Sequence, residues 1–223
     1  MSNEEQLPSK PDYSAVAREK IQHVSAPAKA QTSPKQQQQR PLPSGYSNAR
    51  WDKVPIEARR AMNVAASNGE WPIYLWGQAG RGKTCAAACA FSLWPKPAMW
   101  ISLSQLCDDL TKFNTSQVVT FYSGATPVDL SKSGYWQRLK NTGLVVIDEI
   151  GTRESSGHRF DSLLNLLEIR KNRPLVLTGN LSSRQITQIY DERVLSRIYA
   201  GTVIEFVGVD HRFEGAEDRI HQT

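Results

Sequence analysis

An α/β domain built on a parallel sheet, with helices covering both faces, is the fold class this 223-residue sequence predicts. Three observations point to it. Strand-like and helix-like segments alternate from Trp51 onward. The strand-like segments WPIYLW and TGLVVIDEIG are apolar almost throughout, as a strand buried on both faces requires. A glycine-rich run, GQAGRGKT, joins the first of these to an alanine-rich helix, in the strand–loop–helix order of a βαβ unit.

The elements follow in order. VPIEARRAMNVAASNG opens on proline and closes on Asn-Gly, the start and stop signals of a helix, with Ile56, Ala61, Val64 and Ala65 expected on its inner face. WPIYLW is the first strand, and KTCAAACAFSLW is helical by its alanine content. AMWISL is the second strand and SQLCDDLTKF a helix, whereas NTSQVVTFYSGATPVDLSKSG reads as irregular. TGLVVIDEIG is the third strand. FDSLLNLLEIRKN is a helix with Phe160, Leu163, Leu164, Leu167 and Ile169 turned inward. PLVLTGN is the fourth strand, SSRQITQIYDERVLSRI one or two helices, and TVIEFVGV the fifth strand.

Residues 1–45 differ from the rest. They are rich in proline, glutamine, serine and lysine, as in APAKAQTSPKQQQQRPLPSG, and carry too little apolar surface to offset the entropy of ordering. A disordered tail is expected there. Within it DYSAVAREKIQHV places Val16, Ile21 and Val24 for one short amphipathic helix, either transient or a docking peptide that folds on a partner. Residues 46–210 form the expected folded domain, and 211–223 a flexible C-terminal tail.

Bulk properties narrow the class. No apolar run approaches the ~18–20 residues that span a bilayer. The start, MSNEEQLPSK, lacks the basic and apolar regions of a secretory signal. A cytoplasmic protein with no membrane contact is expected. Three cysteines (Cys85, Cys89 and Cys107) without a CxxC pair fit a reducing compartment. Cys85 and Cys89, four apart on a helix, read as small buried residues against the sheet rather than a metal pair. A formal net charge of +5 permits contact with nucleic acid without demanding it.

GQAGRGKT fits G-x-x-x-x-G-K-[ST] at every fixed position: Gly77, Gly82, Lys83 and Thr84. Glycines there let the backbone turn so that successive N–H groups point inward and form an anion nest. The following helix adds the positive end of its dipole. The Lys83 ammonium would reach the β- and γ-phosphates of a nucleotide, and the Thr84 hydroxyl would ligate Mg²⁺. LVVIDEIG ends its apolar strand on Asp148 and Glu149, at the carboxyl edge where ligands of parallel sheets bind. Asp148 could hold the metal through water and Glu149 could orient or deprotonate an attacking water. An isolated Asp-Glu pair is often only a solvated strand cap, a reading weakened beside such a loop. Asn180, closing VLTGN, is either a turn residue or a sensor of the γ-phosphate. Arg193 and Arg197 share one helical face. They are either a solvated face paired with Asp191 and Glu192, or arginine fingers offered to a neighbouring subunit, Arg197 before Arg193.

In that order and spacing, GQAGRGKT, LVVIDEIG, LVLTGN and DERVLSRI resemble an AAA+ ATPase. More narrowly they resemble the DnaC/DnaI-type helicase loaders, relatives of DnaA and IstB, through FDSLLNLLEIRKNRP running into LVLTGNLS and ERVLSRI soon after. The resemblance spans about Trp51 to Val209. It implies a three-layer P-loop NTPase fold with a five-stranded parallel sheet in the order 5-1-4-3-2 and no helical lid domain. Gly77, Gln78, Ala79, Gly80, Arg81, Gly82, Lys83 and Thr84, with Cys85 adjoining, would form the Walker A loop that binds ATP. Asp148 and Glu149 would be Walker B, with Thr84 and Asp148 on Mg²⁺, Asn180 sensor 1, and Arg197 the trans-acting arginine.

The resemblance further implies an ATPase that self-associates through its ATP sites, contacts single-stranded DNA and loads a replicative helicase. An IstB-like transposition helper and a nucleotide-dependent adaptor with negligible turnover are the alternatives. Three departures stand out: a short segment after the fifth strand, with Arg212 as a doubtful second sensor, Asp-Glu where many loaders carry Asp-Asp, and a glutamine-rich N-terminal region. For DNA contact, Lys112, Lys132, Arg138 and Lys140 interleave with Phe113, Phe121, Tyr122, Tyr135 and Trp136, a mixture that suits single strands or is simply a loop over core aromatics.

Overall fold

The structure, a computed structural model, describes residues 40–115, 118–123, 126–151 and 157–208. The docking helix expected within residues 12–24, Arg212 and the C-terminal tail lie outside them. A 3₁₀ turn (Trp51–Lys53) leads into α1 (Ile56–Asn68), β1 (Ile73–Trp76), α2 (Lys83–Leu93) and β2 (Ala98–Ser102). Next come α3 (Leu103–Asn114), β3 (Val119–Ser123), β4 (Thr126–Leu130), α4 (Lys132–Asn141) and β5 (Leu144–Asp148). The described chain ends with α5 (Gly157–Ile169), β6 (Leu175–Gly179), α6 (Ser183–Ile189), α7 (Glu192–Tyr199) and β7 (Thr202–Glu205).

Five strands form one parallel sheet in the order β2-β5-β6-β1-β7. Numbering only these strands along the chain and reading from the β7 edge, the order is 5-1-4-3-2, as the resemblance implies. Side chains alternate between the two faces of each strand, and the core divides accordingly. Tyr74, Val145, Ile147, Leu175 and Leu177 pack with Leu106, Leu163, Leu166, Ile186, Val194 and Ile198 from α3, α5, α6 and α7. Ile73, Leu75, Val146, Val176 and Ile204 pack with Met62, Ala65, Ala86, Ala87 and Phe91 from α1 and α2 on the other face. The register aligns Trp76 with Gly179 and Glu205, and Ser102 with Asp148, so the strands end together along one carboxyl edge.

Several expectations are corrected. In α1 the buried stripe is Ala58, Met62 and Ala65, whereas Ile56 and Val64 are 42% and 41% exposed. The helix is rolled so that a stripe spaced four and three residues apart meets the sheet, and alanine allows close approach. Leu166, not named on the inner face of α5, is fully buried there, while Phe160, Leu164 and Ile169 are half-buried. Cys89 is buried, but Cys85 is exposed, because α2 begins beyond the last residue of β1 and no sheet covers its first turn.

The stretch read as irregular contains an antiparallel hairpin, β3 with β4, and then α4. Pro127 argues against a strand interior, but in a two-stranded ladder both strands are edges and the missing N–H is tolerated. Ser131 caps α4 by accepting from the Gly134 N–H, and Tyr135 and Leu139, four apart, are its buried face. Among the described residues no helix is long and apolar enough to cross a membrane.

Candidate functional site

The loop from Gly77 to Gly82 leaves the carboxyl end of β1 and returns as α2. Gly77 is there for space: a Cβ on it would stand 2.4 Å from the Phe206 carbonyl oxygen, because the Phe206 N–H donates to Trp76 O at 2.7 Å and draws the chain beyond β7 against the loop. Gly80 and Gly82 have φ of 74° and 86°, the left-handed region that glycine adopts without cost to a side chain. Gly82 is the N-cap of α2 and offers no side-chain acceptor, so the first amides of that helix remain for a ligand.

Three side chains complete the loop. Lys83 is only 7% exposed and its Nζ donates to Gln78 O at 2.7 Å, which places the ammonium over the loop backbone. Arg81 bonds the Gln78 side chain at 2.6 Å. Thr84 donates its hydroxyl to Asp148 Oδ1 at 3.1 Å.

Asp148 ends β5 half-buried, and Glu149 follows it exposed, with a φ of 64°. Asn180, also exposed, follows β6 directly, one residue past the Gly179 that pairs with Trp76. The turn beyond it is pinned by Tyr74, whose buried hydroxyl donates to Leu181 O at 2.9 Å. The glycine loop, Thr84, Asp148, Glu149 and Asn180 therefore lie along the same carboxyl edge of β1, β5 and β6.

Two further residues join them, and the sequence reading missed both. Thr178, in β6, donates to Asp148 Oδ1 at 2.5 Å and accepts from the Glu149 N–H at 3.0 Å. A lone hydroxyl in the otherwise apolar strand LVLTG was the available signal. Tyr46 comes from the segment before α1. Arg40 anchors that segment by donating to Phe91 O at 3.0 Å and Lys96 O at 2.8 Å, capping the C-terminal end of α2. The Tyr46 ring stands 5.9 Å from that of Trp100, and its phenol lies near Thr84 and Asp148. Burial, then the neighbouring Asp148, pushes the phenol pKa up, so Tyr46 stays protonated at neutral pH. Nothing in PSGYSNAR marks this residue in the sequence.

Arg193 and Arg197 do not join this group. Arg193 pairs with Asp191 and lies over the Phe160 ring, 4.9 Å from its centroid. Arg197 pairs with Glu168 of α5 and donates to Arg193 O at 2.8 Å. α7 runs into β7, whose first residue pairs with the first of β1, so the last turn of α7 lies near the amino ends of the strands. Arg197 thus lies toward the end of the sheet opposite its own chain's loop. In the basic-aromatic region, Lys112 bonds Asp109 and Lys132 bonds Asn114. Tyr135 is fully buried with its hydroxyl on Asp109 at 3.0 Å, a core residue rather than a stacking platform. The side chains of Phe121 and Tyr122 lie outside the described residues.

These oxygen donors fit Mg²⁺. A hydroxyl and a carboxylate oxygen already within 3.1 Å of each other supply the hard ligands it takes, beside the glycine loop. The chain has the fold of an AAA+ P-loop NTPase, a five-stranded parallel sheet with the glycine loop at its carboxyl edge. Among solved structures the chain is similar to the DnaC helicase loader, with a TM-score of 0.58 at 16% identity over 73% of this chain and 98% of that one. It is similar to DnaI, with 0.50 at 21% identity over 73% and 86%. It is also similar to AMPPCP-bound DnaA from Aquifex aeolicus, with 0.57 at 12% identity over 76% of this chain. The chain covers 52% of that DnaA, about half its length. No protein-family model and no curated protein sequence matches the chain.

Proposed function

We propose that this chain binds and hydrolyses ATP as an accessory protein of DNA replication, loading a replicative helicase onto single-stranded DNA. The observation that carries the nucleotide part is the bond from Thr84 to Asp148, which brings the two metal-binding groups of an ATPase together next to Lys83. The loop amides from Gly77 to Thr84 hold the phosphates and Lys83 balances their charge. Magnesium, when bound, would be held by Thr84 and Asp148 and would offset charge on the β- and γ-phosphates. Glu149 accepts a proton from, or orients, the attacking water, and Asn180 bonds the γ-phosphate. Arg197, toward the end of the sheet opposite its own loop, serves a neighbouring subunit and makes assembly a condition of hydrolysis. The client is inferred from similarity in fold to the DnaC helicase loader and to a DnaA bound to AMPPCP and single-stranded DNA.

Lys83→Ala tests the site: binding of a fluorescent ATP analogue is expected to vanish while the melting temperature holds. Normal binding by that variant would sink the assignment. Capture of the full chain with ATP present tests the client. A hexameric helicase among the co-purified proteins supports loading, and a transposase in its place overturns it. Steady-state phosphate release with and without single-stranded DNA separates an ATPase from an adaptor.

A further inference from the structure

We infer that Thr178 is a positioning residue, one hydroxyl of which fixes both the Asp148 carboxylate and the backbone turn that presents Glu149. The functional consequence rests on the nucleotide reading above; the geometry does not. β5 and β6 pair in register from Val145 with Leu175 to Ile147 with Leu177, which puts Thr178 across from Asp148 at the next step. Thr178 is 2% exposed, so its hydroxyl must find its partners within the protein.

A hydroxyl has one proton to donate and lone pairs to accept. The Thr178 proton goes to Asp148 Oδ1 at 2.5 Å, the same oxygen that receives the Thr84 hydroxyl. That oxygen is bracketed by two threonines, one from the phosphate loop and one from the strand bearing Asn180. The carboxylate rotamer is thereby set from both sides before any ligand arrives.

The lone-pair side of the same hydroxyl does a second task. It accepts the Glu149 N–H at 3.0 Å, and the Thr178 carbonyl accepts the Ile150 N–H at 2.8 Å. Glu149 has a φ of 64°, a left-handed conformation that a non-glycine residue keeps only when its surroundings enforce it. Two bonds from one residue supply that enforcement. The chain breaks away from the sheet at Glu149, leaving its side chain exposed at the carboxyl edge while Ile150 returns to the core. Ordinary strand packing would explain a β-branched residue here, but valine would satisfy it as well as threonine.

The experiment compares the full chain with Thr178→Val and Thr178→Ser. Amide hydrogen exchange at Glu149 is read without nucleotide, and binding of a fluorescent ATP analogue is read with Mg²⁺ and with EDTA. Thr178→Val is expected to exchange at Glu149 at least about tenfold faster and to lose about 10–100-fold in Mg²⁺-dependent affinity, leaving the EDTA value unchanged. Thr178→Ser, which retains the hydroxyl, is expected to restore most of both. Parent-like exchange in Thr178→Val overturns the inference, as does a serine variant no better than the valine one. If the parent binds no nucleotide while the exchange difference stands, the ATPase reading fails and the positioning role holds. Should Thr178→Val not fold, Thr178→Ala carries the same comparison.

Discussion

Thr84, in the first turn of α2, and Asp148, at the end of β5, are joined by a hydroxyl-to-carboxylate bond of 3.1 Å although 64 residues separate them in sequence. Their strands are not neighbours, since β6 lies between β1 and β5. Only the turn of the glycine loop back over the carboxyl edge lets the helix reach across. Thr84→Ala removes the hydroxyl that Asp148 shares with the expected metal. Affinity for a fluorescent ATP analogue should fall roughly tenfold, about 1.4 kcal/mol, in Mg²⁺ and stay constant in EDTA. Equal losses under both conditions would show that Thr84 supports the loop rather than the metal.

Gly77 and Gly82 occupy equivalent places in the motif but differ in what surrounds them. A Cβ on Gly77 would meet the Phe206 carbonyl at 2.4 Å, whereas one on Gly82 would meet nothing within 4 Å. Gly82→Ala therefore incurs mainly the left-handed backbone cost, about 1–2 kcal/mol. Gly77→Ala adds an overpacking cost against rigid backbone and should lose roughly 3 kcal/mol or more. Urea denaturation of the two variants checks the order. Equal midpoints would mean that the chain beyond β7 yields and that Gly77 serves the phosphates alone.

The difference between these glycines shows how far the sequence was legible. The motif spacing identified the loop, and unbroken apolar runs identified the parallel strands, because both signals are local. The 5-1-4-3-2 order came from resemblance, since no property of one strand names its neighbour. The contact between Gly77 and Phe206 depends on β7 pairing with β1, and Thr178 became meaningful only once the register set it across from Asp148. Tyr46 reaches Thr84 through a segment held by Arg40 on the end of α2, with no periodic pattern to announce it. The hairpin was hidden by Pro127, a breaker inside a sheet but not in a ladder made of two edges.

Arg170 is buried between α5 and β6, where no nucleotide chemistry requires it. Its guanidinium donates to the carbonyls of Leu139 and Lys140 at 3.1 Å, Thr142 at 2.6 Å and Gly143 at 3.4 Å, and also to that of Pro174. It thus satisfies the chain end of α4 and the approach to β5. Burial and then Arg173 lower its pKa to about 10, which still leaves it charged at neutral pH. Arg170→Met keeps the apolar stem but leaves several buried acceptors unmatched, at about 1–3 kcal/mol each. A loss of roughly 4 kcal/mol in chemical denaturation is expected, with Arg170→Lys recovering part of it through three donors. Unchanged stability in Arg170→Met would mean that water replaces the guanidinium.

Arg197 carries the last prediction, because its place toward the amino ends of the strands, away from its own loop, makes action in trans testable against action in cis. Its pair with Glu168 joins side chains that are 35% and 46% exposed, so breaking it should change stability by no more than about 1 kcal/mol. Arg197→Ala should therefore fold and bind nucleotide like the parent, yet lose at least ~100-fold in the hydrolysis that rises with protein concentration, as loss of a trans-acting arginine would. Mixing then decides the matter. The Lys83→Ala chain retains its arginine but lacks a working loop, and the Arg197→Ala chain has the converse defect. Each is expected to be nearly inactive alone. Combined, they should form interfaces in which the arginine of the first meets the intact loop of the second, and a fraction of the activity should return. A mixture as inactive as its components, at concentrations where the parent assembles and hydrolyses, would remove Arg197 from the reaction.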